Sequence, residues 1–397
     1  MTSEPVKEIP CNCSAPPRGP AQPMAPVFEM APEEPRAGPV LPSPGEAPGY
    51  RLWPFVVGWL DTPSGRVPRV ETSPTPQDLL GSWRVRWGLG RYDYRVAPGL
   101  YAIGAPGAGS PVLVTANYKL TFDGLRCELG GVDAWLLVLD TRGINVWCAA
   151  GKGTFGTAEV VRRVQASGLE RVVSHRTLLL PQLGAPGVAA HEVKKGCGFS
   201  VVYGPVRASD LPAFLQAGMT ATPEMRVVTF TFRERLALVP VELTNKVKPS
   251  RWIVPALVLL GALGPGWFSL RGAWSRGGGA LLGYLAAVLA GSAATPLLLP
   301  WLPGRAFAYK GALVGAAAAF LGVLVFWGHL GWSDRFALVP AVAVGSSYCA
   351  MLFTGSTPFT SLSGVEREMR RALPFQLLGL GFAGLVWVGS RFAGGAG

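Results

Sequence analysis

The sequence predicts an α/β layered domain followed by an all-α membrane domain of five transmembrane helices. Three observations carry this. Between residues 51 and 248, short apolar runs alternate with segments of helical period. From Trp252 onward five apolar stretches follow, each about long enough to cross a ~30 Å hydrocarbon core at ~1.5 Å per residue. Across 397 residues, 49% are hydrophobic and only 15% charged, with a mean hydropathy of +0.31. That balance is too apolar for an ordinary soluble chain.

Residues 1–50 are rich in Pro, Gly and Ala and cannot bury enough apolar surface to offset their ordering entropy, so a flexible tail is expected there. Cys11 and Cys13 lie in it, either as two exposed thiols without a role or as a mobile pair for a soft metal ion. Glu4, Lys7 and Glu8 occupy the place of an apolar signal core, so no cleavable signal is expected. The globular domain, residues 51–248, is then expected in the cytosol with reduced thiols.

Within that domain, Ser110–Leu120 reads as a strand with its exit loop. Asp133–Asp140 is a continuous apolar run, as in a strand buried on both faces. Thr157–Leu169 carries Val160, Val161, Val164 and Leu169 near helical spacing, with Arg162 and Arg163 outward. Residues 170–176 (ERVVSHR) and 198–206 (GFSVVYGPV) read as further strands. Ala208–Gly218 reads as a helix capped by Ser209 or Asp210 and stopped by Gly218.

Residues 249–397 form the predicted membrane domain. Its spans are Trp252–Leu270, Gly278–Pro300, Ala308–Leu330, Phe336–Thr354 and Leu373–Phe392, without Asp or Glu inside any of them. Abundant Gly and Ala permit close helix packing, and Lys310 can snorkel. Lys246, Lys248, Arg251, Arg305, Lys310, Arg367, Arg370 and Arg371 fall on the globular-domain side, against Arg271, Arg276, Arg335 and Arg391 opposite. This bias orients the globular domain to the cytosolic side of an inner, cytoplasmic membrane as a multi-pass protein. The net charge of +12 reads as attraction to lipid headgroups, because the basic residues form no aromatic-interleaved run of the kind that binds nucleic acid.

The stretch Thr141–Thr157, TRGINVWCAAGKGTFGT, holds the candidate chemistry. A Walker phosphate loop fails twice: Val146 stands five residues before Gly151 where Gly is required, and Gly153 replaces Ser/Thr. A nucleophilic Cys148 needs a base nearby in space, and only His175 and His191 are available in this domain. As a metal ligand, one soft thiolate suffices only if a macrocycle brings the other donors. The small residues Ala149, Ala150 and Gly151 would let a helix start lie flat against a ring. His175 reads as a hydrogen-bonded loop residue, and Trp147 as ring contact or core. The six cysteines form no CxxC pair, so an iron–sulfur centre would have to come from another chain.

Asn145–Gly153, NVWCAAGKG, resembles the corrinoid protein of microbial mercury methylation, whose pattern Asn-Val/Ile-Trp-Cys-Ala-Ala/Ser-Gly-Lys is matched at every position. The resemblance extends from about Tyr94 to the C-terminus, through VLVTANYKLTFDGLR, AWLLVLDTRGINVWCAAGKGTFGT, VVSHRTLLLPQLGAPGVAAHEVKKGCGFSVVYGPVRASD and the apolar tail. The globular domain is also similar to the corrinoid-binding domain of the corrinoid iron–sulfur protein large subunit, without that relative's cluster motif.

The resemblance implies a Rossmann-like corrinoid-binding domain and a cobalamin held base-off, with Cys148 as lower axial cobalt ligand and catalytic residue. It places Asn145, Val146, Trp147, Ala149, Ala150, Gly151 and Lys152 at the approach beneath the ring. Thr154, Gly156, Thr157, Gln182, Gly184 and Gly204 would line the ring edge and nucleotide tail. The implied reaction is methyl transfer from a methyl-corrinoid to mercury(II), giving methylmercury. A thiolate trans to the methyl pushes charge onto the metal, easing departure towards a soft electrophile. Implied partners are a small membrane-associated ferredoxin with two 4Fe–4S clusters, which restores Co(I), a methyl-folate or methyl-donor protein, and the lipid bilayer. Alternatives are a methyl carrier of acetyl-CoA metabolism and a membrane-bound corrinoid sensor or scaffold without turnover. The membrane helices read as an anchor, with mercury conduction past Cys349 as the sharper alternative.

Overall fold

The computed structural model describes residues 53–328, 330–357 and 362–393, so Cys11 and Cys13 lie outside it. Its centre is a seven-stranded mixed sheet of order β1-β2-β3-β5-β4-β6-β7. Val56–Thr62 (β1) and Gly65–Val70 (β2) form an antiparallel hairpin, and β2 runs parallel to Gly99–Ile103 (β3). β3 is antiparallel to Ala134–Leu139 (β5). From β5 the sheet continues in parallel through Val112–Ala116 (β4), Thr177–Leu180 (β6) and Ser200–Tyr203 (β7).

Every residue of β4 and β5 is buried, Thr115 of β4 included, as expected of strands covered on both faces, and β5 is an unbroken apolar run. Alternation divides them between two cores. Val112, Val114, Leu137 and Leu139 pack beneath Val160 and Val164 of Thr157–Ala166 (α4) and Val193 of Ala190–Cys197 (α6). Leu113, Leu136 and Val138 pack on the other face with Phe122 of Lys119–Cys127 (α2) and Phe214 of Leu211–Gln216 (α7).

Three local expectations are corrected. Residues 170–176 are not a strand: Leu169–Val172 (α5) is a turn of helix launched by Gly168 in the left-handed region, burying Leu169 and Val172. The strand is the adjoining Thr177–Leu180. Arg163 is turned against Glu159 rather than outward. Neither Ser209 nor Asp210 caps a helix through its side chain, although Gly218 does end the segment at positive φ.

Beside the sheet lies Pro76–Arg86 (α1), whose Asp78 enters a buried ionic cluster. Lys119 Nζ donates to Asp78 and Asp123 at 2.5 Å each, and Arg126 donates to the same two carboxylates at 2.7 and 2.9 Å. Burial pushes the Asp78 carboxyl up, but hydrogen bonds from Lys119 and from the Thr75 N–H and hydroxyl outweigh it and hold it at about 2. Because the folded value lies below the ordinary 3.8, the stabilisation is present above that pH and lost as pH falls towards about 2. Thermal stability should therefore drop between pH about 4 and 2. Asp78→Asn should be less stable than the parent at neutral pH, with a flatter profile in that window. A parent whose melting temperature does not change there would refute the linkage.

Beyond the sheet the chain is helical. Among the described residues four helices are long and apolar enough to cross a membrane: Leu270–Leu298, Phe307–Val325, Trp332–Phe353 and Ser363–Phe392. The fifth span expected, Trp252–Leu270, is not among them. Its place is taken by Val247–Ala262 (α9), whose 16 residues reach only about 24 Å at ~1.5 Å per residue. Gly264-Pro265-Gly266 ends the apolar run early. The long helices also begin earlier than expected, taking in Asp334, Glu366 and Glu368 near their ends. Between Phe307–Val325 and Trp332–Phe353 the backbones nearly touch: a Cβ on Gly311 would lie 2.7 Å from the Ser346 carbonyl oxygen.

Candidate functional site

The parallel strands β4, β5, β6 and β7 all end on one side of the sheet. Between β4, whose connection leads to β5, and β6, whose connection leads to β7, the direction of winding reverses. Open α/β sheets bind ligands outside the carboxyl ends at such a point. The loop leaving β5 and the helix Val146–Gly151 (α3) pack here against the turn Gln182–Gly187 that follows β6.

Asn117, at the end of β4 and fully buried, shapes that loop. Its Oδ1 accepts from the Thr141 N–H at 3.1 Å, the Thr141 hydroxyl at 2.9 Å and the Gly143 N–H at 2.9 Å. Its Nδ2 donates to Asp140 at 3.2 Å. The Asp140 N–H donates to Glu159 of α4 at 2.8 Å. Burial pushes the Glu159 carboxyl up, but that hydrogen bond and the Arg163 and Arg162 guanidiniums hold it below its ordinary range. The loop is thus tied to both neighbouring elements before α3 begins.

Asn145 is the cap of α3, its Oδ1 accepting from the Cys148 N–H at 2.9 Å. Val146, Ala149 and Ala150 face inward and are buried. Trp147, Cys148, Gly151 and Lys152 face outward. This corrects one expectation: Ala149 and Ala150 form the packed underside of α3 rather than a surface open to a ring, and of the small residues only Gly151 is exposed. The underside fits closely. A Cβ on Gly187 would lie 2.2 Å from the Phe155 carbonyl oxygen and 3.0 Å from Ala150 Cα. One on Gly184 would meet the Phe155 ring at 2.5 Å.

Cys148 is half-buried, and its sulfur has no hydrogen-bond partner among the described residues. The other described cysteines differ. Burial raises the Cys127 and Cys197 thiols, and Cys197 also donates to the Val193 carbonyl. Cys349 is buried between apolar helices, its Cβ against Gly291. His175 is at the opposite end of the strands, its Nδ1 accepting from the Thr177 N–H and its Nε2 facing the Ser110 carbonyl at 2.9 Å. Both contacts lie where β4 and β6 begin, so His175 cannot serve Cys148 as a base. It is the hydrogen-bonded loop residue expected.

The remaining predicted residues divide. Thr154 and Thr157 are held by local contacts, to the Ala149 carbonyl at 3.4 Å and from the Ala189 N–H at 2.9 Å, and Gly156 is the buried cap of α4. Gln182 accepts from Arg226, which also donates to the carbonyls of Tyr203 and Gly204 at 3.0 and 3.2 Å. Arg226 therefore joins the ends of β6 and β7, a role no local pattern announces. Asn117 was also missed; the one sequence signal was an amide directly after a mostly apolar strand.

Removing the cap tests the local geometry. Asn145→Ala should lower the stability of the full chain by about 1 kcal/mol, because the Cys148 N–H loses its acceptor. An unchanged melting temperature would show that the cap does not hold α3.

The segment that carries this geometry is also the segment with known relatives. Residues 90–215 match the family model of the CO dehydrogenase/acetyl-CoA synthase delta subunit. The gamma subunit of the acetyl-CoA decarbonylase/synthase complex of Methanopyrus kandleri is 39% identical over 129 residues, 32% of this chain and 27% of that subunit. The corresponding subunit of Archaeoglobus fulgidus is 34% identical over 128 residues, with the same two shares. The chain spans about a quarter of the length of these relatives, and the residues matched by the family model take in β3 to β7 with their loops and end before the long apolar helices.

Proposed function

We propose that this chain is a membrane-anchored corrinoid protein that carries a methyl group, with Cys148 as the lower axial ligand of a base-off cofactor. The carrying observation is Cys148 itself: a partnerless soft donor on the outward face of a helix at the carboxyl ends of the parallel strands. No group of three His, Cys, Asp or Glu residues stands ready to hold a metal ion among the described residues. A lone thiolate suits a metal that arrives with four donors of its own. The open space above Gly151 and Gly153, where an added Cβ would meet nothing within 4 Å, leaves room for a flat ring beside it.

When bound, a corrinoid supplies a cobalt centre able to take up and give up a methyl group. The protein's part is positional. Cys148 presents its sulfur, Asn145 fixes the turn that aims it, and the Asn117 network holds the loop. The Gln182–Gly187 turn supports α3 from below, and Lys152 lies one turn beyond Cys148 on the same face. The long apolar helices anchor this assembly to a bilayer. Cys349 is packed against Gly291 and belongs to no group of three His, Cys, Asp or Glu residues among the described residues, so the helices are read as an anchor.

The relatives are subunits of acetyl-CoA decarbonylase/synthase complexes, which favours methyl carriage of the acetyl-CoA type. One observation favours mercury(II) as the acceptor: NVWCAAGK, Asn145–Lys152, fits every position of the mercury-methylation pattern. In either case the electrons that restore Co(I) would come from a separate ferredoxin, and the methyl from a folate or donor protein. The experiment charges purified, cobalamin-loaded full chain with labelled methyl and offers mercury(II) and, separately, a decarbonylase/synthase complex. Methylmercury identifies the mercury reading, and label passed only to the complex identifies the carrier reading. Label that never leaves would make the chain a sensor or scaffold.

A second test concerns residues 51–248. A chain ending at Lys248 retains the sheet, α3 and the Gln182–Gly187 turn, and should bind cobalamin under reducing conditions with about the affinity of the full chain. Failure of a folded fragment to bind would assign part of the pocket to the helices beyond.

A further inference from the structure

α1 is amphipathic the wrong way round. Its inward face carries Asp78, Gly81, Ser82 and Val85, with Asp78 tied to Lys119 and Arg126. Its outward face carries Leu79, Leu80, Trp83 and Trp87, exposed by 55%, 62%, 64% and 41%. Leu79, Trp83 and Trp87 follow i, i+4, i+8 and Leu80 lies at i, i+3, i+7 with Trp83 and Trp87, so the four form one stripe. Such an exposed apolar stripe needs a cover.

The surroundings say what covers it. Gly88, just past α1, abuts Thr244 at the end of Phe232–Thr244 (α8), where a Cβ would lie 3.1 Å from the Thr244 hydroxyl. α8 lies across the ends of the apolar helices. Arg235 donates to the Leu297 carbonyl at 3.4 Å, and Phe230 and Leu238 pack with Leu299, Phe307 and Phe353. The chain then passes through Lys246, Lys248, Arg251 and Trp252 into α9. The stripe of α1 is therefore continuous with the level at which the helices would leave the hydrocarbon. Between Leu79 and Tyr92 the chain has Arg84, Arg86 and Arg91 and no acid. Tryptophan and leucine beside arginine, at the mouth of a helix bundle, is the composition of an element lying in a headgroup layer.

We propose that α1 lies in the interface of the bilayer, with Leu79, Leu80, Trp83 and Trp87 entering the acyl boundary and Arg84, Arg86 and Arg91 meeting anionic headgroups. The buried Asp78–Lys119–Arg126–Asp123 cluster is the device that turns it outward. This rests on the reading that the long apolar helices span a membrane. The sheet is then docked on the lipid surface at a second point besides α9, which restricts how the face bearing Cys148 swings above the membrane.

The test uses full chain in vesicles of phosphatidylcholine and phosphatidylglycerol carrying a phospholipid with a photoreactive diazirine in its acyl chain. After illumination, adducts are mapped by mass spectrometry. Adducts are expected on residues 79–87 and on the long helices. Leu80→Glu with Trp83→Glu should reduce those on 79–87 roughly tenfold while the helices keep theirs. Labelled helices with an unlabelled α1 would overturn the proposal, and a two-chain mass in lipid nanodiscs would then assign the stripe to a second copy. Unlabelled helices would overturn the membrane reading along with it.

Discussion

Cys148→Ala should lower methyl transfer by at least ~100-fold while leaving the fold intact, since removal of groups that merely support a metal ligand already costs 10–100-fold. The two halves of this expectation have separate grounds. Stability should hardly change because the sulfur is half-exposed and without a partner, and alanine suits a helix better than cysteine. Activity should fall because this is the soft donor the outward face of α3 presents. Binding should weaken less than ligation, since the loop and the Gln182–Gly187 turn remain. The visible spectrum of the Co(III) form and the melting temperature together decide. An unchanged spectrum sinks the ligand assignment whatever happens to activity. Cys197→Ala is the control: its thiol is raised by burial and donates to Val193, so neither spectrum nor transfer should respond.

How much of this was legible in the sequence depended on how local the cause was. β5 could be read because burial on both faces leaves a continuous apolar run, and β4 because four of its five residues are apolar. Asn145 entered only through the resemblance, as a residue beneath the ring, and its role as the cap of α3 comes from the structure, where its Oδ1 accepts from the Cys148 N–H. Residues 170–176 were misread because the Val172-Val173 pair favours a strand, while Gly168 begins a turn that hides Val172 and Leu169 on one side. α1 had no legible inward face, because what it buries is a carboxylate whose partners, Lys119 and Arg126, are 41 and 48 residues away. The first membrane span was overcounted because hydropathy sums through Gly264-Pro265-Gly266, where the backbone cannot continue as a helix. Within the site, the direction of α3 was the least legible feature. Small residues suit a ring or a packed underside equally, and only the fit against Gly187 and Phe155 decides for Ala149 and Ala150.

Asn117→Ala should be the most damaging substitution that touches neither Cys148 nor any element of the resemblance's short pattern. The amide is fully buried, and three donors converge on its oxygen: the Thr141 N–H, the Thr141 hydroxyl and the Gly143 N–H. The hydroxyl keeps an alternative, since it also reaches the Ile144 carbonyl at 2.6 Å. The two backbone N–H groups lose their acceptor; the Thr141 N–H is buried, and leaving such a donor unsatisfied costs about 1–3 kcal/mol, while the part-buried Gly143 N–H loses less because water reaches it. A loss of that size is a large fraction of what holds an ordinary domain together. The chain can escape part of it by letting Thr141–Gly143 swing to water, and that movement carries Asn145 and Cys148 with it. Two measurements separate the outcomes. A lower melting temperature with normal sulfur ligation means the loop stays and the cost is borne as stability. A nearly normal melting temperature with lost sulfur ligation means the loop has moved. Asn117→Asp keeps the acceptor oxygen for the three donors but replaces the Nδ2 donor with a second oxygen facing Asp140, which places two carboxylates side by side. It should therefore retain ligation at neutral pH less well than the parent and recover as pH falls and one carboxylate takes up a proton. A variant Asn117→Ala that matches the parent in both melting temperature and spectrum would show that the Asn117 network does not position the thiol.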